Sequence, residues 1–90
     1  MRTVHKFPLN LVDEPQRLLV SAPGTVVHVA GQHDLPTLWI EVDTDRSASP
    51  RTFTVEGTGH PIPDDHEYVG TAHTHGGMMV WHIYEDPRGR

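Results

Sequence analysis

Three of the eight histidines in this 90-residue chain fall within TAHTHGGMMVWH, residues 71 to 82. His73 and His75 are two apart, so on a strand they share a face, about 6.5–7 Å from one another. Two imidazoles so placed can hold one zinc ion, and His82, on the strand returning from Gly76-Gly77, can be a third ligand. Such a set would serve a metal-dependent hydrolase. The competing reading is an ordinary solvent-facing hairpin tip, where polar residues are expected anyway. The chain has no cysteine ligand, no HExxH and no carboxylate placed by a motif as a general base. The residues therefore lead to an expectation of no metal and no cofactor, with His73, His75 and His82 as the alternative. His28 and His82 lie inside apolar segments, which suits hydrogen-bonded core or interface histidines.

GTGHPIP, residues 57 to 63, is the second stretch with chemistry in it. A glycine-rich turn can present backbone N–H groups to a phosphate. The helix that normally follows such a loop is absent, because Pro61 and Pro63 enforce extended backbone. The plainer reading is a rigid connection between strands, with a cis bond at His60-Pro61 or Ile62-Pro63. If the ligand is a nucleotide signal, its site would combine Arg51, His60 and the Gly57 and Gly59 backbone with stacking faces from Tyr68 and Trp81. The competing surface is a flat protein-binding face centred on Trp39, which also carries Glu41 and Asp43. Large aromatics in a small chain also serve as core or self-interface residues. No serine, threonine or lysine sits in a nucleophile motif and no carboxylate pair is set by spacing. The balance leans towards binding rather than catalysis.

These residues must be positioned by strands. No stretch repeats apolar residues at helical spacing, whereas short β-branched and aromatic runs recur between Gly, Pro, Asp and Ser. The runs are 3–7, 18–20, 25–30, 38–43, 51–58, 68–74 and 78–85. Pro23-Gly24 suits a type II turn between the second and third. Leu38, Ile40 and Val42 alternate with Trp39, Glu41 and Asp43, and Phe53 and Val55 alternate with Thr52, Thr54 and Glu56. Gly76-Gly77 marks a two-residue hairpin. Met79, Trp81 and Ile83 on one face, with Val80, His82 and Tyr84 on the other, indicate a central strand or one covered by a partner subunit. The expected fold is all-β, a small barrel or sandwich of about seven short antiparallel strands, in one domain over residues 1–86 with a loose tail at 87–90.

Composition sets outer limits. A chain of this length with 36% hydrophobic residues makes one small domain. It is marginally stable alone, and with no cysteine it cannot use disulfides, so a homodimer or higher oligomer is expected. The formal charge of −5, with no basic cluster, argues against duplex nucleic acid. Charging all eight histidines would turn −5 into +3, so solubility should depend on pH. The N-terminal segment MRTVHKFPLNLV has no long apolar run. Neither a signal peptide nor a membrane span is expected, and the expected location is cytoplasmic.

The order TVHKFPL (3–9), HVAGQHDLPTLWIEVD (28–43), RTFTVEGTGHPIP (51–63), EYVGT (67–71) and VWHIYE (80–85) resembles an uncharacterised family of small proteins from phages, prophages and actinobacteria. The series GTGHPIP, YVGT, VWHIYE carries the resemblance. It implies a phage-type accessory protein working in a host bacterial cytoplasm, with HTHGG in a variable hairpin. No established catalytic or binding residue comes with it. The function expected is non-enzymatic binding of a host component, by occluding a protein or sequestering a nucleotide signal, with blunting of antiviral defence as its outcome. A hydrolase built on the histidine cluster is the alternative.

Overall fold

Residues whose apolar and polar side chains alternate at period two can bury one face only by pairing sheets. The computed structural model describes residues 1–89 and does this with seven strands. They are β1 (Arg2–Pro8), β2 (Gln16–Ser21), β3 (Pro23–Gln32), β4 (Leu35–Asp43), β5 (Ala48–Gly57), β6 (Glu67–Thr74) and β7 (Met79–Asp86). Short 3-10 turns at His75–Gly77 and Pro87–Gly89 are the only helical pieces among the described residues. A three-stranded sheet, β1-β4-β3, faces a four-stranded sheet, β2-β5-β7-β6, and every pairing is antiparallel. The all-β expectation holds, as two facing sheets.

The core follows from the alternation. Leu38, Ile40 and Val42 of β4 are fully buried against Phe53 and Val55 of β5, Ile83 of β7 and Val20 of β2. Each large member contributes about 1.5–3 kcal/mol through removal from water. Leu9, one residue beyond β1, joins them, and its N–H donates to the Pro36 carbonyl at 2.8 Å. The two sheets draw together along β3 and β6. There a Cβ on Gly31 would lie 1.9 Å from the His73 carbonyl oxygen, and one on Gly70 would lie 2.6 Å from Val29. Only glycine permits so close an approach.

The connections depart from expectation in four places. The cis peptide is Ala22-Pro23, where the chain passes from one sheet to the other, and not a bond within 60–63. β3 and β4 are joined through His33 and Asp34, both at positive φ (53° and 58°), a hairpin turn without glycine. Aspartate tolerates this region better than most residues, and Asp34 Oδ1 accepts from the His75 N–H at 3.0 Å, so the position carried no glycine signal. The β6–β7 turn is longer than Gly-Gly. His75, Gly76 and Gly77 all have positive φ, and Met78 N–H donates to the His75 carbonyl at 3.2 Å. Finally, 87–89 form a short 3-10 turn. Gly89 lies against Thr52, and Arg88 bonds Asp86 and Asp65. Arg90, the last residue of the expected tail, lies outside the described residues.

Strand β7 lies between β5 and β6. This is the central-strand alternative of the two that its two-sided bulk suggested.

Candidate functional site

The histidine-rich hairpin does not gather a metal site. His73 stands opposite Val80, while His82 stands opposite Thr71 on one side and Glu56 on the other. Both ring nitrogens of His82 are engaged, Nε2 with Thr58 Oγ1 at 2.8 Å and Nδ1 with Thr71 Oγ1 at 3.2 Å. The Tyr68 hydroxyl extends this chain to Thr71 at 2.6 Å. His75 Nδ1 pairs with Thr74 Oγ1, which also accepts from the Trp81 indole N–H at 3.0 Å. Among the described residues no three His, Asp or Glu side chains are grouped so that they could hold one ion. Of the alternative ligand set His73, His75 and His82, the last two are engaged with threonine hydroxyls. Sequence spacing could not reveal this, because the competing partners come from β6 and from the loop after β5.

The six residues considered for a nucleotide are also dispersed. The Arg51 guanidinium makes a two-pronged ion pair with Glu85, Nε to Oε2 at 2.7 Å and Nη2 to Oε1 at 2.8 Å, and donates a further bond to the Gly24 carbonyl. It is committed to structure at one end of the sandwich. Gly57, His60 and Trp81 do come together at the other end. Gly57 pairs with Trp81, and the His60 ring packs against Gly57. Gly59, at φ 91°, shapes the turn closed by His60 N–H to the Gly57 carbonyl at 3.1 Å. Tyr68 is on the exterior of its sheet, edge-on to Tyr84 with ring centroids 5.6 Å apart. No phosphate cradle forms from these parts.

Trp39, Glu41 and Asp43 share the outer face of the three-stranded sheet, as the alternation requires. Trp39 lies against His28, with ring centroids 5.1 Å apart. Glu41 is 3.4 Å from Arg2. The Asp45 backbone N–H, and then the N-terminal ammonium, hold the Asp43 carboxyl below its ordinary pKa. The face exists, but its acids are already partnered.

A different site lies on the outer face of the four-stranded sheet. β2 begins at Gln16, opposite Phe53, so the last four residues of β5 run on with no strand beside them on that side. The 10–15 segment passes there instead, tied by Asn10 N–H to the Gln16 side-chain carbonyl at 2.7 Å. From Gly57 the chain turns back, and Pro61 and Pro63 hold it extended across the strand it has just left. The result is a groove of about 500 Å³ with Asp13, Thr54, Glu56, His60 and His66 around it. A second hollow of about 430 Å³ adjoins it, sharing Asp13 and His60 and adding Leu11, Val12 and Trp81.

Two of these side chains are buried without a hydrogen-bond partner, Thr54 through its Oγ1 and His66 through both ring nitrogens. The His66 side chain is only 6% exposed, and Asp86 Oδ2, at 3.7 Å from Nε2, is too distant for a hydrogen bond. A polar group buried unpaired costs about 1–3 kcal/mol, so small folded domains rarely keep such groups without a use. Asp86 itself is taken up by Arg88, whose guanidinium bond holds the Asp86 carboxyl below its ordinary range. The reciprocal attraction raises Arg88.

Asp13, Thr54, Glu56 and His66 were not among the candidates read from sequence. Thr54 and Glu56 carry the outward half of a period-two pattern, which normally means solvent. The one available signal was the pair of prolines after Gly59, which stiffens the loop but does not say where it lands.

Along its whole length, residues 1–90, the chain matches the model of a family described as a domain of unknown function, DUF7352. No curated protein and no solved structure matches it.

Proposed function

The chain belongs to the DUF7352 family, whose description carries no activity, and we propose that it is a binding module rather than an enzyme. The groove beneath residues 60–66 is its binding site. The observation that carries this is the pair of unpaired buried side chains, Thr54 and His66, lining a cavity large enough for a small molecule or a protruding side chain. Among the described residues the Thr54 hydroxyl in the groove has no base within hydrogen-bond distance, and His82 faces hydroxyls that fix its orientation. Hydrolysis by a three-histidine metal centre has no supporting geometry. If the phage-type setting implied by the resemblance applies, the occupant of the groove belongs to the host cytoplasm.

An amide NMR screen of the whole chain against a mixed set of neutral, anionic and cationic fragments tests the reading. We expect shifts concentrated at 13–15, 54–57 and 60–66. Fragment binding confined to the Trp39 face, or no binding anywhere at millimolar concentration, overturns it.

A further inference from the structure

We propose that the groove takes a cationic nitrogen group, a guanidinium or primary ammonium, carried on an aliphatic stem. This rests on the groove being the binding site and names the chemistry of its occupant. Asp13 and Glu56 both line the main groove, and Glu14 lines the adjoining hollow. None of the three has a hydrogen-bond or ion-pair partner among the described residues, whereas Glu41, Asp43, Glu85 and Asp86 all do. Among those residues no lysine or arginine lines either hollow. Two uncompensated carboxylates beside the main groove and a third at the adjoining hollow repel each other and attract a cation.

The second, independent observation is His66. Its side chain is more than nine-tenths buried, lines the groove, and has no hydrogen-bond partner at either nitrogen. With the Thr54 hydroxyl it leaves unused hydrogen-bonding capacity, an acceptor on each side chain included, buried beside the carboxylates. An ammonium brings three N–H donors and no acceptor, and a guanidinium brings five, so either complements a site rich in acceptors. The carboxylates of Asp13 and Glu56 oppose a phosphate or carboxylate ligand at the same place. The adjoining hollow gives the reason for an aliphatic stem. Leu11, Val12 and Trp81 offer apolar surface directly beyond Asp13 and His60, and a methylene chain can lie on it while its charged end stays among the carboxylates.

The cation can come as a free amine or as a side chain of a partner protein. Titration followed by amide NMR, with agmatine and with N-acetyl-arginine amide as probes, separates these sources. We expect millimolar binding that moves residues 13–14, 54–56 and 60–66 and that weakens as salt is raised. Glu56→Gln should weaken it about tenfold. Glutamine keeps the size of the side chain, so this variant folds, and its unchanged amide spectrum is the control. Comparable binding of both probes assigns a protein side chain, and binding of agmatine alone assigns a free amine. No shift with either probe at tens of millimolar, or equal shifts with inorganic phosphate or isopentanol, overturns the inference. In the fragment screen, neutral or anionic binders in the groove would sink the cation assignment and leave the binding-module reading standing. Silence in both experiments would sink both.

Discussion

Arg51 and Glu85 form a two-pronged ion pair between adjacent strands β5 and β7, with side chains only 18% and 4% exposed. Arg51 also lies over the Phe53 ring, 5.5 Å from its centroid. Two charges so far removed from water depend on one another, since removing either takes the opposite charge from its partner. Arg51→Ala is expected to lower unfolding stability by about 2–4 kcal/mol in urea. The double variant Arg51→Met with Glu85→Leu should recover most of that. A double variant as unstable as the single would refute the account.

The seam between the sheets gives a second expectation. A methyl group on Gly31 would collide with the His73 carbonyl, which is backbone and cannot rotate away. Gly31→Ala should cost about 1–3 kcal/mol as the strands are forced apart. A methyl on Gly76 meets nothing within 4 Å, yet its φ of 66° strains any side chain, so Gly76→Ala should cost about 1 kcal/mol. Thermal unfolding of the two variants ranks them, and the reverse order would contradict the seam.

Thr54 offers a separation of stability from function. Its hydroxyl is buried and unpaired, so Thr54→Val removes a desolvated group while keeping the shape of the side chain. Stability should rise by up to about 1 kcal/mol. Ligand binding in the groove should weaken. A loss of stability would mean that the hydroxyl has a partner in solution.

Acid should unfold the domain partly through Asp86. Its pKa is held below the ordinary 3.8, chiefly by the Arg88 side chain. A group depressed on folding contributes stability above its unfolded pKa and loses it as pH falls through the folded one. The melting temperature should therefore fall below about pH 4. Asp86→Asn should flatten that limb and leave the curve above pH 5 parallel to the parent. Identical acid limbs in both proteins would count against the assignment.

Chelation should leave the fold alone. A structural zinc contributes on the order of 10 kcal/mol to so small a domain, and its removal would unfold it. With His82 engaged at both nitrogens and His75 at Nδ1, the melting temperature should not change in excess EDTA. A fall of tens of degrees, with stoichiometric zinc in the untreated protein, would overturn that.

Fold class and strand positions were legible because period-two alternation is local and unambiguous in LWIEVD and RTFTVE. Strand order was not. Nothing in the neighbourhood of Leu18 says that it pairs with Arg51, nor that β3 and β6 close on one another through Gly31 and Gly70. Those are meetings of residues far apart in sequence.

The same division holds for the site. The residues themselves determined an acidic surface, a cysteine-free chain, seven strands and a loop stiffened by Pro61 and Pro63. Tertiary structure decided which polar groups became partners. It gave Arg51 to Glu85 and His82 to two threonines, and it folded the 60–66 loop over Thr54, leaving that hydroxyl and His66 unpaired. Hydrogen-bonding capacity belongs to a side chain and can be read from its type. Whether it is satisfied depends on which groups the packed chain brings within about 3 Å, and that distance exists only in the fold.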